Sequence, residues 1–179
     1  TADAVAYINR ECRRIERLSQ KMMRLITLQG GEPPRIERQP VSKLYDAVRD
    51  TLTAAAQKEG IMLTLTGEEN IFFDMDIDMM ASVLINLFDN ARKAGAGHIS
   101  VEAGLTGILV QDDGRGIPAA EIGKVTQPFY TADQSYSRPA GGSGLGLALC
   151  ELILKKHKAR LHIESRQGAG TAVSIIFEK

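Results

Sequence analysis

The sequence predicts an α/β protein, a two-layer sandwich in which one mixed sheet is covered by helices, preceded by a single long helix. Three observations carry this expectation. Segments that alternate apolar and polar residues, at 61–66, 99–103, 160–164 and 171–177, sit beside glycine-containing turns. Three further segments, at 42–59, 77–94 and 145–157, carry apolar residues at helical spacing. From Ala2 to about Gln29, Val5, Ile8, Cys12, Ile15, Leu18, Met22, Leu25 and Ile26 recur at steps of three and four.

In chain order, that first stripe is one amphipathic helix whose near-heptad spacing suits packing on a partner helix or on its own domain. Gly30-Gly31-Glu32-Pro33-Pro34 ends it as a linker, since paired glycines and prolines cannot continue a helix. The organisation expected is therefore 1–30, a linker 31–38 and a domain 39–179. A short extended piece around Ile36 precedes a helix that Ser42 caps and Gly60 ends. Ile61 to Thr66 reads as a strand, with Ile71-Phe72-Phe73 as its hairpin neighbour across Gly67 to Asn70. Asp76 or Asp78 caps a long helix to about Ala94, and strands at 99–103 and 108–110 follow. Pro118 suits the first turn of a short helix. Residues 126–141, polar and with Pro128 and Pro139, read as a mobile loop or lid before the helix from Leu145 to His157.

With 179 residues and 44% hydrophobic content the chain can fill one sizeable core. Its 22 basic and 22 acidic residues cancel, which argues against a nucleic-acid or membrane-surface binder. Cys12 and Cys150, far apart and each in a helical pattern, read as small buried hydrophobes in a reducing cytosol. No apolar run reaches the roughly 20 residues of a membrane span. The piece is expected to be soluble and cytoplasmic, and it is compatible with origin in a longer membrane protein, because it starts at Thr1.

The chemistry gathers at glycines. Gly141-Gly142-Ser143-Gly144-Leu145-Gly146-Leu147 runs straight into a helix, and such a turn can present free N–H groups to phosphates or be only a flexible connection. It is neither a P-loop, lacking Gly-Lys-Ser/Thr, nor a Rossmann fingerprint, lacking a strand just before it. On the helix 77–94, a wheel of about 100° per residue puts Met80, Leu84, Leu87 and Ala91 on the core side. Asn86, Asn90 and Lys93 share another face. Two mid-helix asparagines cost helix propensity, so they want a reason: an amide oxygen suits Mg²⁺, and Lys93 can reach a phosphate. Asp112, at a strand end before Gly114 and Gly116, is either a turn residue or a carboxylate that accepts the exocyclic amine of adenine. Asp113 would only shape the turn.

Asn86-Leu87-Phe88-Asp89-Asn90-Ala91-Arg92-Lys93, Asp112-Asp113-Gly114-Arg115-Gly116-Ile117, Pro128-Phe129-Tyr130 and Gly142-Ser143-Gly144-Leu145-Gly146-Leu147 resemble, in order and spacing, the N, G1, F and G2 boxes of sensor histidine kinases. These belong to the superfamily that includes the gyrase B subunit, mismatch-repair ATPases and a heat-shock chaperone. The resemblance covers about Gln39 to Lys179, and the first helix is similar to the second helix of a dimerisation and phosphotransfer hairpin. It implies a Bergerat-type fold and a kinase that passes the ATP γ-phosphoryl to a histidine for relay to a response regulator. It implies Asn90 on Mg²⁺, and Asn86 and Lys93 on phosphate or metal-bound water. Asp112 would read adenine beside Thr171 and Gly116. Gly114, Ile117, Tyr130, Ser143, Leu145 and the glycines 142, 144 and 146 would line the nucleotide, with Leu147 as a wall and Phe129 as a plug at the lid hinge. A homodimer is implied for the longer protein.

Departures from the family pattern fall in the lid and at Gln127, where many relatives have Glu, and Ala94, where many have an aromatic. In the lid, Asp133-Gln134-Ser135-Tyr136-Ser137-Arg138 has two fewer cations than relatives carry, which leaves Arg138 as the expected γ-phosphate contact. The acceptor histidine is expected outside this chain: His98, His157 and His162 precede neither Asp nor Glu and read as surface or strand residues. Asn86 stands where hydrolytic members have a glutamate, and an amide cannot take a proton from water, so fast hydrolysis is disfavoured. A non-catalytic nucleotide-binding module and an anti-sigma serine kinase are the competing readings.

Overall fold

The computed structural model describes residues 2–30, 33–67, 70–131 and 144–178. Arg138, Gly142, Ser143 and most of the expected lid lie outside the described residues. The chain divides into two compact units, Thr1–Glu32 and Pro33–Lys179. The first is α1 (Ala2–Gly30). Val5, Ile8, Ile15, Met22 and Ile26 of its apolar stripe stand exposed. Cys12 is exposed too, against the expectation of a buried thiol, whereas Cys150 is buried.

In the second unit, β1 (Glu37–Pro40), α2 (Val41–Glu59), β2 (Met62–Gly67), β3 (Phe72–Met75) and α3 (Ile77–Lys93) come first. β4 (His98–Gly104), β5 (Gly107–Asp112), α4 (Ala119–Ile122), α5 (Gly146–Lys156), β6 (Ala159–Ser165) and β7 (Thr171–Phe177) follow. Five strands form one mixed sheet in the order β2-β4-β5-β7-β6. Only β2 and β4 run parallel. α2, α3 and α5 pack on it side by side. Alternation sends Ile99, Val101, Ile108, Val110, Val173 and Ile175 toward the helices, which return Leu44, Leu52, Met80, Leu84, Leu149 and Ile153. Burying each of these side chains is worth about 1.5–3 kcal/mol, and that sum holds α3 and α5 against the sheet.

Two expectations fail here. β3 does not form a hairpin with β2; it pairs antiparallel with β1 in a separate two-stranded sheet. Ile71, Phe73 and Met75 point into the core, and the Phe73 ring stacks on Phe177 with centroids 4.1 Å apart. β2 instead joins β4 in parallel, which needs a crossover, and the segment carrying α3 supplies it. Ser42 does not cap α2 either. The cap position is Pro40, with no side-chain hydrogen bond, and Val41 begins the helix. Gly60 ends α2 in the left-handed region at φ 71°, as expected.

Candidate active site

Asp76 fixes the start of α3, its Oδ1 accepting the Met79 N–H at 3.1 Å. The Asp76 N–H donates to His157 Nε2 at 3.0 Å, while His157 Nδ1 lies 2.8 Å from the Ile153 carbonyl. A carbonyl only accepts, so Nδ1 carries the proton and the imidazole is neutral. Burial holds its pKa below the ordinary histidine value. His157, expected on the surface, is thus a buried link that ties the C-terminus of α5 to the N-terminus of α3. The two helices that carry candidate groups cannot shift independently at that end.

One turn apart on α3, Asn86 and Asn90 face the start of α5. Asn86 is buried rather than part of a solvated face, and its Nδ2 donates to the Ser82 carbonyl at 2.8 Å, one turn back. A Cβ built on Gly146 would lie 3.4 Å from Asn86 Oδ1 and 3.6 Å from Asn90 Oδ1. Both amide oxygens therefore look onto the first residue of α5, where glycine leaves the space open. Among the described residues, Asn90 Nδ2 is buried without a hydrogen-bond partner. Such a group costs about 1–3 kcal/mol unless something else satisfies it. Lys93 follows in the last turn of α3.

Just beyond the C-terminal end of α3 stands Asp112. Its Oδ1 accepts the Gly114 N–H at 2.8 Å. Burial pushes this carboxyl above the usual carboxylate range, opposed by the Gly114 and Thr171 backbone N–H groups. Thr171 is its register partner on β7. Gly114 is buried, and a Cβ there would lie 2.8 Å from Ala94 Cβ and 2.9 Å from Asp112 Oδ1, too close for any side chain. Ala94, the C-cap of α3, thus connects the amide-bearing turns of that helix to the carboxylate. The neighbouring Asp113 behaves as a turn former, its Oδ1 accepting the Gly97 and His98 N–H groups at 2.8 Å each. Those bonds hold its pKa below the usual range.

Behind Asp112 the backbones crowd. A Cβ on Gly170, at φ 86°, would come within 2.0 Å of the Asp112 carbonyl oxygen, and one on Gly116, at φ 68°, within 2.1 Å of that of Arg166. The Ile117 N–H donates to Ser165 Oγ at 2.8 Å. Ser165 escaped the sequence reading, since a serine at a strand end carries no pattern. A hollow of about 320 Å³ borders Asp112, Ser165 and Thr171 and is walled by Gln111, Glu164 and Arg166. Its lining stops short of Asn86 and Asn90, and contact through Ala94 and Gly114 relates the amide face of α3 to the carboxylate.

The remaining candidates divide. The Phe129 N–H donates to the Gly144 carbonyl at 3.0 Å, pinning the two borders of residues 130–143 together. Gly144 adopts φ 67°, where a Cβ would meet Phe129 and Tyr130. Phe129 itself takes φ 65° and is 61% exposed, so its ring plugs nothing among the described residues. A non-glycine residue in that region is strained, and the Gly144 bond offsets part of the cost. Leu145 is 0% exposed: its side chain is core rather than ligand wall, because it sits at the helix cap where α5 meets the sheet. Leu147 is half-buried.

A mixed sheet with three helices on one face, amide-bearing helix and glycine-led helix abutting, and an acidic strand end beside them, defines an ATP-binding ATPase or kinase class of domain. The chain belongs to the histidine kinase-, DNA gyrase B- and HSP90-like ATPase family, which matches residues 75–179. It is 29% identical over 181 residues to the sensor histidine kinase YkoH of Bacillus subtilis, covering 99% of this chain and 39% of that protein. With the sensor protein SrrB of Staphylococcus aureus it shares 28% over 184 residues, covering 99% of this chain and 32% of the relative. The chain thus spans well under half of the curated relatives it matches. Among solved structures, the Acinetobacter baumannii histidine kinase AdeS superposes with a TM-score of 0.73 at 17% identity, over 97% of this chain and 83% of that one. The mycobacterial sensor histidine kinase MprB gives 0.63 at 23%, over 79% and 96%. No helix among the described residues is long and apolar enough to cross a membrane.

Proposed function

We propose that this chain is the catalytic and ATP-binding part of a sensor histidine kinase, which passes the γ-phosphoryl of ATP to a histidine outside this sequence for relay to a response regulator. The observation that supports it most is the pair of amide oxygens on Asn86 and Asn90 aimed at Gly146, with the Asn90 amide nitrogen unpartnered among the described residues. This is a built, polar, incompletely satisfied site at the start of a helix.

The donor set fits Mg²⁺: Asn90 Oδ1 is a hard neutral oxygen beside a residue with no side chain, and Asn90 is the residue that would hold the ion. When bound, the ion neutralises phosphate charge, which is the main need of phosphoryl transfer. Asn86, its nitrogen committed to Ser82, turns its oxygen toward the same space and would contact phosphate or metal-bound water. Lys93 adds positive charge, the resemblance implies the same role for Arg138, and the backbone N–H of Gly146 at the start of α5 is the described group of the glycine turn that would meet a phosphate. Asp112 accepts the exocyclic amine of adenine, with Ile117, Leu147 and Tyr130 around the base, while Gly114 and Gly116 let the backbone pack closely behind the carboxylate. No carboxylate stands one turn before Asn90, so water is not activated and transfer is favoured over hydrolysis. The exposed stripe of α1 is the face that packs into a dimeric hairpin.

Mixing the chain with a separately made hairpin carrying an acceptor histidine, labelled ATP and Mg²⁺ tests this. Acid-labile phosphate on the hairpin is expected. ATP binding without any transfer would replace the proposal with a non-catalytic nucleotide-binding module.

A further inference from the structure

Ser165 joins three segments through one oxygen. Its Oγ lies 2.8 Å from the Gly170 carbonyl, 2.8 Å from the Ile117 nitrogen and 3.0 Å from Thr171 Oγ1. Two oxygens at 2.8 Å need a proton between them, and a carbonyl has none, so the single Ser165 proton goes to Gly170. One lone pair of Ser165 takes the Ile117 N–H. The other faces Thr171, and with the serine proton already used, Thr171 must be the donor. The Thr171 proton is thereby committed, and only its lone pairs remain for anything beside Asp112.

Thr171 and Asp112 are register partners on adjacent strands, so their side chains share one face at the sheet end. That end presents a carboxylate and a hydroxyl oxygen that can both only accept. We infer that Ser165 is a positioning residue that fixes Thr171 as an acceptor, so that the site admits a 6-aminopurine and rejects a 6-oxopurine. This rests on the reading of the site as an adenine-nucleotide pocket. A 6-amino group offers donors to both oxygens, whereas a 6-oxo group meets them with a lone pair. Without the serine oxygen, the Thr171 hydroxyl is free to turn its proton outward and donate to a 6-oxo group.

The test is calorimetric titration of the 179-residue chain with Mg·ADP and with Mg·IDP, in the wild type, Ser165→Ala, Ser165→Thr, Thr171→Val and the double variant Ser165→Ala/Thr171→Val. The ratio of the two dissociation constants is read because it is insensitive to the fraction folded. Ser165→Ala is expected to lower the preference for ADP about tenfold, roughly one hydrogen bond's worth. Ser165→Thr should restore it, and in the Thr171→Val background Ser165→Ala should change nothing further. If Ser165 only staples the turn, both nucleotides weaken together and an unchanged ratio in Ser165→Ala overturns the inference. A wild type that binds neither nucleotide sinks the ATP reading itself, and this inference with it.

Discussion

Gly146 separates binding from folding more cleanly than any other position. In Gly146→Ala the new methyl sits 3.4 Å from Asn86 Oδ1 and 3.6 and 3.9 Å from the two amide atoms of Asn90, ordinary contact distances that displace nothing. Alanine is also the better helix former, so the variant should gain about 0.5 kcal/mol and melt roughly 1–2 °C higher. Yet the methyl fills the gap both amides face. Nucleotide in the presence of Mg²⁺ should bind at least about tenfold more weakly, a loss of about 1.4 kcal/mol. Thermal melting and calorimetry on the same sample read both effects. The contrast is Gly170→Ala, where the methyl would lie 2.0 Å from the Asp112 carbonyl at φ 86° and must distort the backbone. That variant should lose stability and binding together. Undiminished binding by a folded Gly146→Ala protein would refute the placement of ligand against α3, and a marked fall in its melting temperature would refute the packing argument.

Burial raises the Asp112 pKa, so the folded state holds that proton more tightly than the unfolded chain does. Its contribution to stability is present at acid pH and lost as pH rises through the folded value. Asp112→Asn should therefore melt higher than wild type at neutral pH, with the difference vanishing in acid, while adenine-nucleotide affinity falls. His157 has the opposite sign to Asp112: its pKa is lowered, so its contribution is whole above the ordinary histidine value and declines as pH falls below it. Melting followed from pH 7 to pH 5 should show this loss in wild type and not in His157→Gln, whose stability should be lower but flatter. Ile153→Ala, at a site 2% exposed between α5 and the sheet, should cost about 2–5 kcal/mol by chemical denaturation.

The helices were legible because an apolar stripe at helical spacing has one natural reading, and the core of α3 followed it from Met80 to Ala91. Strand pairing was not. Alternation in 62–67 and 71–75 tells which side chains turn inward but not which neighbour supplies the hydrogen bonds, so a local hairpin was expected where β2 takes a parallel partner and β3 turns to β1. Tertiary burial likewise decided the single residues. His157 stands in a run of lysines that reads as surface, yet its ring finds two backbone partners at the α3–α5 junction. Leu145 belongs to a ligand motif but fills the core, and Phe129 belongs to one but stands in solvent. Asn86, Asn90 and Asp112 stand out as candidates from residue type and spacing, because amides in mid-helix and a carboxylate before glycines are locally costly. Ser165 has no such cost and becomes visible only once its three partners are placed.

The most direct test is an amide NMR titration of the wild-type chain with a non-hydrolysable ATP analogue and Mg²⁺. The resonances expected to move are the backbone N–H of Gly114, Gly116 and Gly146 together with the side-chain amide of Asn90. Shifts confined to α2 and the β2 edge, or none at saturating nucleotide, would contradict a site built between α3, α5 and the end of β5.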